Sequence, residues 1–300
     1  MDKAQKLAKM TEVMSKFVGL ISYKLPDDVE AKLRALGEKE TNPLAKKMFE
    51  TMFYNQEKAF ELKVPSCQDT GALQYYVNVG ENFPHMGKLQ EVLEVATIHS
   101  TEVTPLRPNA VETFDEFNTK NNVGTGLPTI DWTVIPERDD CEIYVYMSGG
   151  GCSLPGVGQV FMPSEGYEAA TKMVLDRMTS YALNACPPVL VGIGFGTSID
   201  TAAKNSKKAL LRDVDSVNPN PKVAEYEKRM EDAINAIGLG PQGFGGDGSI
   251  MGLNVVNTAR HPSVLGCVIS IGCWAHRRGR ITFDKDLNYV LNSHKGVNLS

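Results

Sequence analysis

The hydrophobic period of this chain is helical over its first sixty residues and mixed beyond them, and that change decides the class of fold open to it. Over residues 1–62 apolar side chains recur at helical spacing. Asn42-Pro43 reads there as an N-cap followed by proline at the first helical position, with Leu44, Met48 and Met52 as a packing face. From 72 to 79 the pattern becomes alternation, with Leu73, Tyr75, Val77 and Val79 on one side of a predicted strand. Beyond it helices and strands interleave. Helices are predicted over 86–100, from Ser164 to about Ala185, from a capping box at Thr197-Ser-Ile-Asp200, and from Asn220-Pro221 to the Gly238/Gly240 region. Strands are predicted over 129–135, 141–147 (running into Gly149-Gly150-Gly151), Val189 to Ile193, 250–257 and 264–271. No repeat or low-complexity linker interrupts this order. The expectation is one mixed α/β unit over 1–300: a helical N-terminal layer (1–62), then a core (63–300) of mixed sheets flanked by helices.

Charge and composition exclude several functions. The formal charge is −5 with basic residues scattered, which gives nucleic acid no basic stripe to bind. No apolar run approaches the length of a membrane span, and the amphipathic N-terminus, carrying acids, lacks a signal peptide's apolar centre, so a cytoplasmic protein is expected. Six cysteines in a chain of this kind are not expected to form disulfides, and the absence of any C-x-x-C pair rules out a zinc ribbon or a thioredoxin-type motif.

Two sets of residues could carry chemistry. Gly192-Ile-Gly194-Phe-Gly196-Thr197 invites a dinucleotide reading, but the third glycine of the fingerprint would fall on Thr197, so close helix–strand packing is the better account. As a set, Gly149–Gly151, Gly194/Gly196 and the Gly240–Gly246 run could supply backbone N–H groups to anions such as carboxylates. Among the cysteines, Cys67, Cys186 and Cys273 stand at element boundaries, where side chains can converge. Cys141 and Cys267 lie in strand patterns and read as core, while Cys152, directly after the glycine triplet, stays ambiguous. Three convergent thiolates would suit a [4Fe–4S] cluster with one iron left open as a Lewis acid; spacing alone leaves that reading beside the plainer one of small buried side chains.

The stretch from Cys67 to Gly279 resembles the class I fumarate hydratases and L(+)-tartrate dehydratases, the [4Fe–4S] hydro-lyases. The resemblance is carried by Cys67-Gln-Asp-Thr-Gly71, Leu106-Arg-Pro-Asn-Ala-Val111, Gly149–Gly151 and Ala185-Cys-Pro-Pro188. It continues through Gly192-Ile-Gly194, Gly240-Pro-Gln-Gly243, His261-Pro262 and the Cys273 segment. It implies the fold of a class I fumarase N-terminal domain, with Cys67, Cys186 and Cys273 as cluster ligands. Asp69 matches the aspartate that handles the proton on the departing hydroxyl, and Gln68, Arg107, Gly150 and His261 match contacts to substrate carboxylates. Taken by themselves, Asp69 could be a turn carboxylate, Arg107 a surface ion-pair partner, His261 a structural cap, and Arg277 and Arg278 a charge balance for the cluster.

Fumarases follow the glycine triplet with Ser-Glu-Asn, whereas this chain has Cys152-Ser-Leu-Pro-Gly156. With Met162–Tyr167 and Cys273–Gly279, this looks like the tartrate-dehydrating branch, which turns L-tartrate into oxaloacetate without nicotinamide or flavin; the malate–fumarate branch is the alternative. Single-chain relatives continue into a second domain carrying the general base, so the resemblance also implies a separate β subunit that completes the site, in an α2β2 assembly. An iron–sulfur sensor that kept the fold is a reading of a different kind. Retention of Gln68, Asp69, Arg107 and His261 beside three cysteines speaks against it.

Overall fold

A computed structural model describes residues 3–299. The helical segment expected from residue 1 is described from Lys3; Met1 and Asp2 lie outside the described residues. In chain order the elements are α1 (Lys3–Tyr23), α2 (Asp27–Lys39), α3 (Pro43–Leu62), β1 (Ala72–Gly80), α4 (Leu89–Val103), β2 (Val111–Glu112), β3 (Phe117–Asn118) and β4 (Thr129–Ile135). They continue with β5 (Cys141–Ser148), α5 (Gly150–Ser153), β6 (Val157–Phe161), α6 (Gly166–Tyr181), β7 (Val189–Gly196), α7 (Ile199–Leu211) and α8 (Pro221–Asn235). The last are β8 (Ile250–Asn257), β9 (Leu265–Gly272), β10 (Arg278–Phe283) and β11 (Tyr289–Leu291). This is a mixed α/β fold. It divides into two compact units, each assembled from separate stretches of chain with no linker to mark the division.

The first unit takes residues up to Asp27, Asn55–Gly149 and Arg277 onward. Its sheet has the order β11-β10-β5-β1-β4, with β1 and β4 parallel and the other pairs antiparallel. Leu73, Tyr75, Val77 and Val79 face the core as the alternation predicts, against Met14, Phe17 and Ile21 of α1 and Leu89, Leu93 and Ala96 of α4.

The second unit takes Asp28–Tyr54 and Gly150–His276. Its sheet is ordered β6-β9-β7-β8, with only β7 and β8 parallel. Every residue of β7 is buried. Val191 and Ile193 pack with Ala170, Val174 and Met178 of α6 and Met230 and Ile234 of α8. The glycines between them serve α7: a Cβ at Gly194 would stand 1.9 Å from the Ala202 carbonyl oxygen, and one at Gly192 2.4 Å from that of Ser206. The glycine run is thus part of a strand that lets a helix approach, which settles it as packing.

Several boundaries move. The packing face of α3 is Ala45, Phe49 and Met52, one step round the helix from the predicted stripe; Leu44 is half exposed. Asn42 does cap this helix, its Oδ1 accepting from the Leu44 N–H at 2.9 Å. The long helix from 164 ends at Tyr181 in a short 3-10 turn. The residue capping α7 is Ser198, not Thr197, and its hydroxyl pairs with Thr201 Oγ1 at 3.1 Å in place of a capping box. The strands β2, β3, β6, β10 and β11 carry no clear alternation of apolar residues, being short, edge-placed or, for β10, opened by a buried arginine.

Candidate active site

In the first unit the loop between α3 and β1 carries Cys67, Gln68 and Asp69, and side chains from distant parts of that unit hold it. Ser66 is tied at one end, its N–H and hydroxyl donating to the Ser22 carbonyl at 3.0 and 3.2 Å. Thr70 Oγ1 fixes the other end: it accepts from the Arg107 N–H (3.1 Å) and from Asn109 Nδ2 (3.3 Å), and donates to the Arg107 carbonyl (3.2 Å). Asn122 Nδ2 adds a bond to that carbonyl at 3.1 Å, and its Oδ1 accepts from the Asn109 N–H at 2.6 Å. The structure thereby brings Arg107 to the Cys67–Gly71 loop, with its guanidinium exposed. Asn109, Asn122 and Thr70 were not singled out from the sequence, though Asn109 and Thr70 sit inside motifs that were.

Asp69 is partly buried. Its Oδ1 accepts from the Gly71 N–H at 3.0 Å, the turn role expected of a short carboxylate. On its other side a Cβ at Gly149 would come within 2.8 Å of Oδ2, so Gly149 is required by close approach to this carboxylate. The Asp69 carbonyl accepts a bond of 2.7 Å from Arg277 Nη2. Arg277 is 2% exposed, and its Nε and Nη1 are buried with no hydrogen-bond partner among the described residues. An unpaired buried cation is costly unless something anionic meets it.

In the second unit Cys186 and Cys273 come together through the main chain. The Trp274 N–H donates to the Cys186 carbonyl at 3.1 Å. Cys186 is exposed and holds φ 53°, ψ 78° at the end of the 3-10 turn, a left-handed conformation that costs a side-chain-bearing residue about 1–3 kcal/mol and occurs most at functional sites. The next residue is pinned as well: Gln242 donates to the Pro187 carbonyl from its N–H (2.9 Å) and Nε2 (3.1 Å). In the Gly240–Gly246 run, read as a possible anion cradle, the N–H groups of Gly240, Gly243 and Gly245 donate to Ser249 Oγ and to the Gly240 and Leu239 carbonyls, and the loop continues to Gly248. Its Asp247 and Gly248 N–H groups donate to the protein's own Glu40, whose second carboxylate oxygen takes the N–H groups of Thr41 and Asn42. Gly150 is exposed at the start of α5. His261 is exposed between β8 and β9, where its Nδ1 accepts from the Ser263 N–H and its own N–H donates to Thr197 Oγ1, both at 3.1 Å. Those bonds anchor the His261 backbone to the 197 turn and orient its ring through Nδ1.

The six cysteines divide cleanly, and none is in a disulfide. Cys141, Cys152 and Cys267 are buried; burial pushes the Cys141 and Cys267 thiols up to about 12, which keeps them protonated. Cys152 faces Lys207, whose ammonium burial drives below its usual range while the nearby sulfur pulls it back. Cys67, Cys186 and Cys273 are the accessible three, Cys67 in the first unit and the other two in the second. Among the described residues no group of three or more His, Cys, Asp or Glu side chains could hold a metal ion. That bears on a mononuclear ion; a cluster spaces its thiolates by its own width. By their chemistry, accessible thiols such as these, one in the first unit and two in the second, are the donor type that a thiolate-ligated cluster takes.

The model of the fumarate hydratase family, "Fumarate hydratase (Fumerase)", matches residues 11–282. The L(+)-tartrate dehydratase subunit alpha of Escherichia coli K12 is 50% identical over 293 residues, covering 98% of this chain and 97% of that protein. The corresponding subunit of Escherichia coli O157:H7 is 49% identical over the same length. A putative L(+)-tartrate dehydratase subunit alpha of Methanocaldococcus jannaschii is 32% identical over 284 residues, covering 93% of this chain and 100% of its own length. The chain belongs to the fumarate hydratase family of hydro-lyases.

Proposed function

We propose that this chain is the iron–sulfur subunit of a cytoplasmic hydro-lyase that converts L-tartrate to oxaloacetate and water, acting with a separate β subunit in an α2β2 assembly. The observation that carries this reading is near full-length identity of 50% to a tartrate dehydratase subunit alpha, with the three accessible cysteines at the positions the motifs single out. The printed name "subunit alpha" supports a partner, and six cysteines outside disulfides support a reducing compartment.

Cys67, Cys186 and Cys273 would hold a [4Fe–4S] cluster, which supplies a Lewis acid for the substrate hydroxyl through an iron that the protein does not ligate. Asp69 handles the proton of the departing hydroxyl, steadied at one oxygen by Gly71 and given room at the other by Gly149. Gln68, Arg107, Gly150 and His261 bind the carboxylates. Arg107 suits this because its backbone is locked on both sides by Thr70 and Asn122 while its guanidinium stays exposed. The carbon-bound proton leaves to a base of the β subunit, and the enol formed becomes oxaloacetate.

The test is turnover of the anaerobically reconstituted αβ complex on L-tartrate and on L-malate at equal concentration. Preference for tartrate supports the reading. The family description favours the second reading, a two-subunit fumarase, and preference for malate would establish it. Iron uptake without turnover of either substrate points to a sensor.

A further inference from the structure

A cavity of about 500 Å³ in the second unit is lined by none of the residues assigned above to the cluster or the substrate. It opens at the carboxyl ends of β7 and β8, a parallel pair, which is where an open α/β sheet most often receives a ligand. The first turn of α8, capped by Asn220, stands at the same end. The sequence sets ring and charge on one stripe of that helix: Lys222, Tyr226 and Arg229, at i, i+4 and i+7, all line the cavity. Tyr167 and Tyr226 stand edge-on to Phe195 at centroid distances of 5.5 and 6.2 Å, so three rings make one wall. That wall is fixed, because the Tyr226 hydroxyl pairs with Thr171 Oγ1 at 3.1 Å and the Phe195 carbonyl accepts from Asn205 Nδ2 at 2.8 Å.

Charge narrows the choice of guest. Arg260 lines the cavity from the β8–β9 loop, its Nη1 donating to the carbonyls of His261, Pro262 and Val264 at 3.1 Å each. Neither Lys222 nor Arg229 commits its side chain to an ion pair among the described residues. Against these three cations the lining sets one carboxylate, Glu225. A wall of rings beside an excess of positive charge complements a guest built the same way, a flat ring carrying an anionic group. L-tartrate, small and polar throughout, has nothing to lay against the rings. We propose that this cavity is a second ligand site, separate from that of the hydro-lyase reaction, and that it takes a small planar ring bearing a carboxylate or a phosphate. The ring packs on Tyr167, Phe195 and Tyr226. The anion meets Lys222 and Arg229, and Lys222 lies in the first turn of α8, where the helix dipole has the matching sign.

The experiment titrates the anaerobically reconstituted αβ complex by calorimetry with three probes. They are 1-naphthoate (a ring with a carboxylate), adenosine monophosphate (a ring with a phosphate) and 1-naphthamide (the first ring without charge). One saturable site per α chain is expected for at least one of the two anions, and the tighter of them identifies the source of the charge. 1-Naphthamide should bind about tenfold or more weakly than the tighter anion, and saturating L-tartrate should displace neither anion. The double variant Lys222→Met, Arg229→Met should weaken the anion by about tenfold or more and leave 1-naphthamide unchanged. Ala259→Trp, which fills the cavity from an exposed lining position, should abolish binding while the urea midpoint stays in place. The proposal is overturned by no saturable binding of either anion, or by binding that neither variant alters. Equal affinity for the charged and uncharged rings also overturns it, leaving only an apolar surface. Displacement by L-tartrate does the same and gives the cavity to the substrate. None of these results touches iron uptake or turnover, so the proposed function stands or falls separately.

Discussion

The two units hold their cysteines by different means. In the first, Cys67 rides on a loop fixed by side chains: Ser66 to Ser22, Thr70 to Arg107 and Asn109, Asn122 to Arg107, Arg277 to Asp69. In the second, Cys186 and Cys273 are fixed by the backbone: a left-handed residue, the Trp274 N–H on the Cys186 carbonyl, and a glycine-bearing strand against which α7 closes. A side-chain network can be loosened one bond at a time, whereas backbone close-packing fails all at once. The first unit should therefore yield variants that fold and work badly, and the second variants that do not fold.

That contrast can be broken by substitution. The largest effect is expected at Gly194→Ala, which puts a Cβ 1.9 Å from the Ala202 oxygen and 2.3 Å from the Ser206 nitrogen. Roughly 3 kcal/mol or more should be lost, read as insoluble protein or a collapsed denaturation midpoint. Next, Glu40→Gln turns an NH2 toward two of four N–H donors; about 3 kcal/mol should be lost in chemical denaturation. A gentle decline in either case would blur the distinction.

In the first unit His294 gives a pH-dependent version. It is fully buried, with Nε2 donating to the Lys24 carbonyl at 3.1 Å and Nδ1 accepting from the Ser293 hydroxyl at 2.9 Å. Burial first, then the Lys24 and Arg278 charges, push its pKa from 6.5 down to about 4. Between those values the unfolded chain binds the proton and the folded chain does not. Stability falls as pH drops through that window, by about 3 kcal/mol in all. His294→Gln should flatten the urea-midpoint profile between pH 6.5 and 4; an unchanged slope assigns it to other groups. The smallest effect is Thr70→Val, which strands the Arg107 N–H and leaves Asn109 Nδ2 only its bond to the Gly71 carbonyl. A loss of about 1–2 kcal/mol is expected, with KM for L-tartrate raised more than kcat is lowered. A variant that unfolds instead would place the first unit with the second.

Strands buried on one face were legible, because alternation reports burial: Leu73 to Val79 faced the core as read. Helix ends marked by Asn-Pro were legible too, since Asn42 and Asn220 cap as their side-chain chemistry requires. β6 and β10 were not, one being an exposed edge and the other opened by Arg278 and Gly279. In the site, the split between accessible and buried cysteines followed from their places in the elements for five of the six; Cys152, ambiguous after the glycine triplet, is buried. The Thr70–Asn109–Asn122 lock could not be read, because hydrogen bonds between residues 13 to 39 apart leave no local pattern. The Glu40 clamp hid for the same reason, reaching across more than two hundred residues to the glycine loop it fills. Nor does composition reveal that Arg277 is sealed; only its neighbours do.

The account stands on three accessible thiols holding iron and three buried ones holding none. Iron and sulfide per chain, measured after anaerobic reconstitution of the αβ complex with each of the six cysteines changed singly to serine, tests this most directly. The prediction is loss of the cluster in Cys67→Ser, Cys186→Ser and Cys273→Ser, with full content in Cys141→Ser, Cys152→Ser and Cys267→Ser. Full iron content surviving in any of the first three, or loss confined to the buried three, would contradict it.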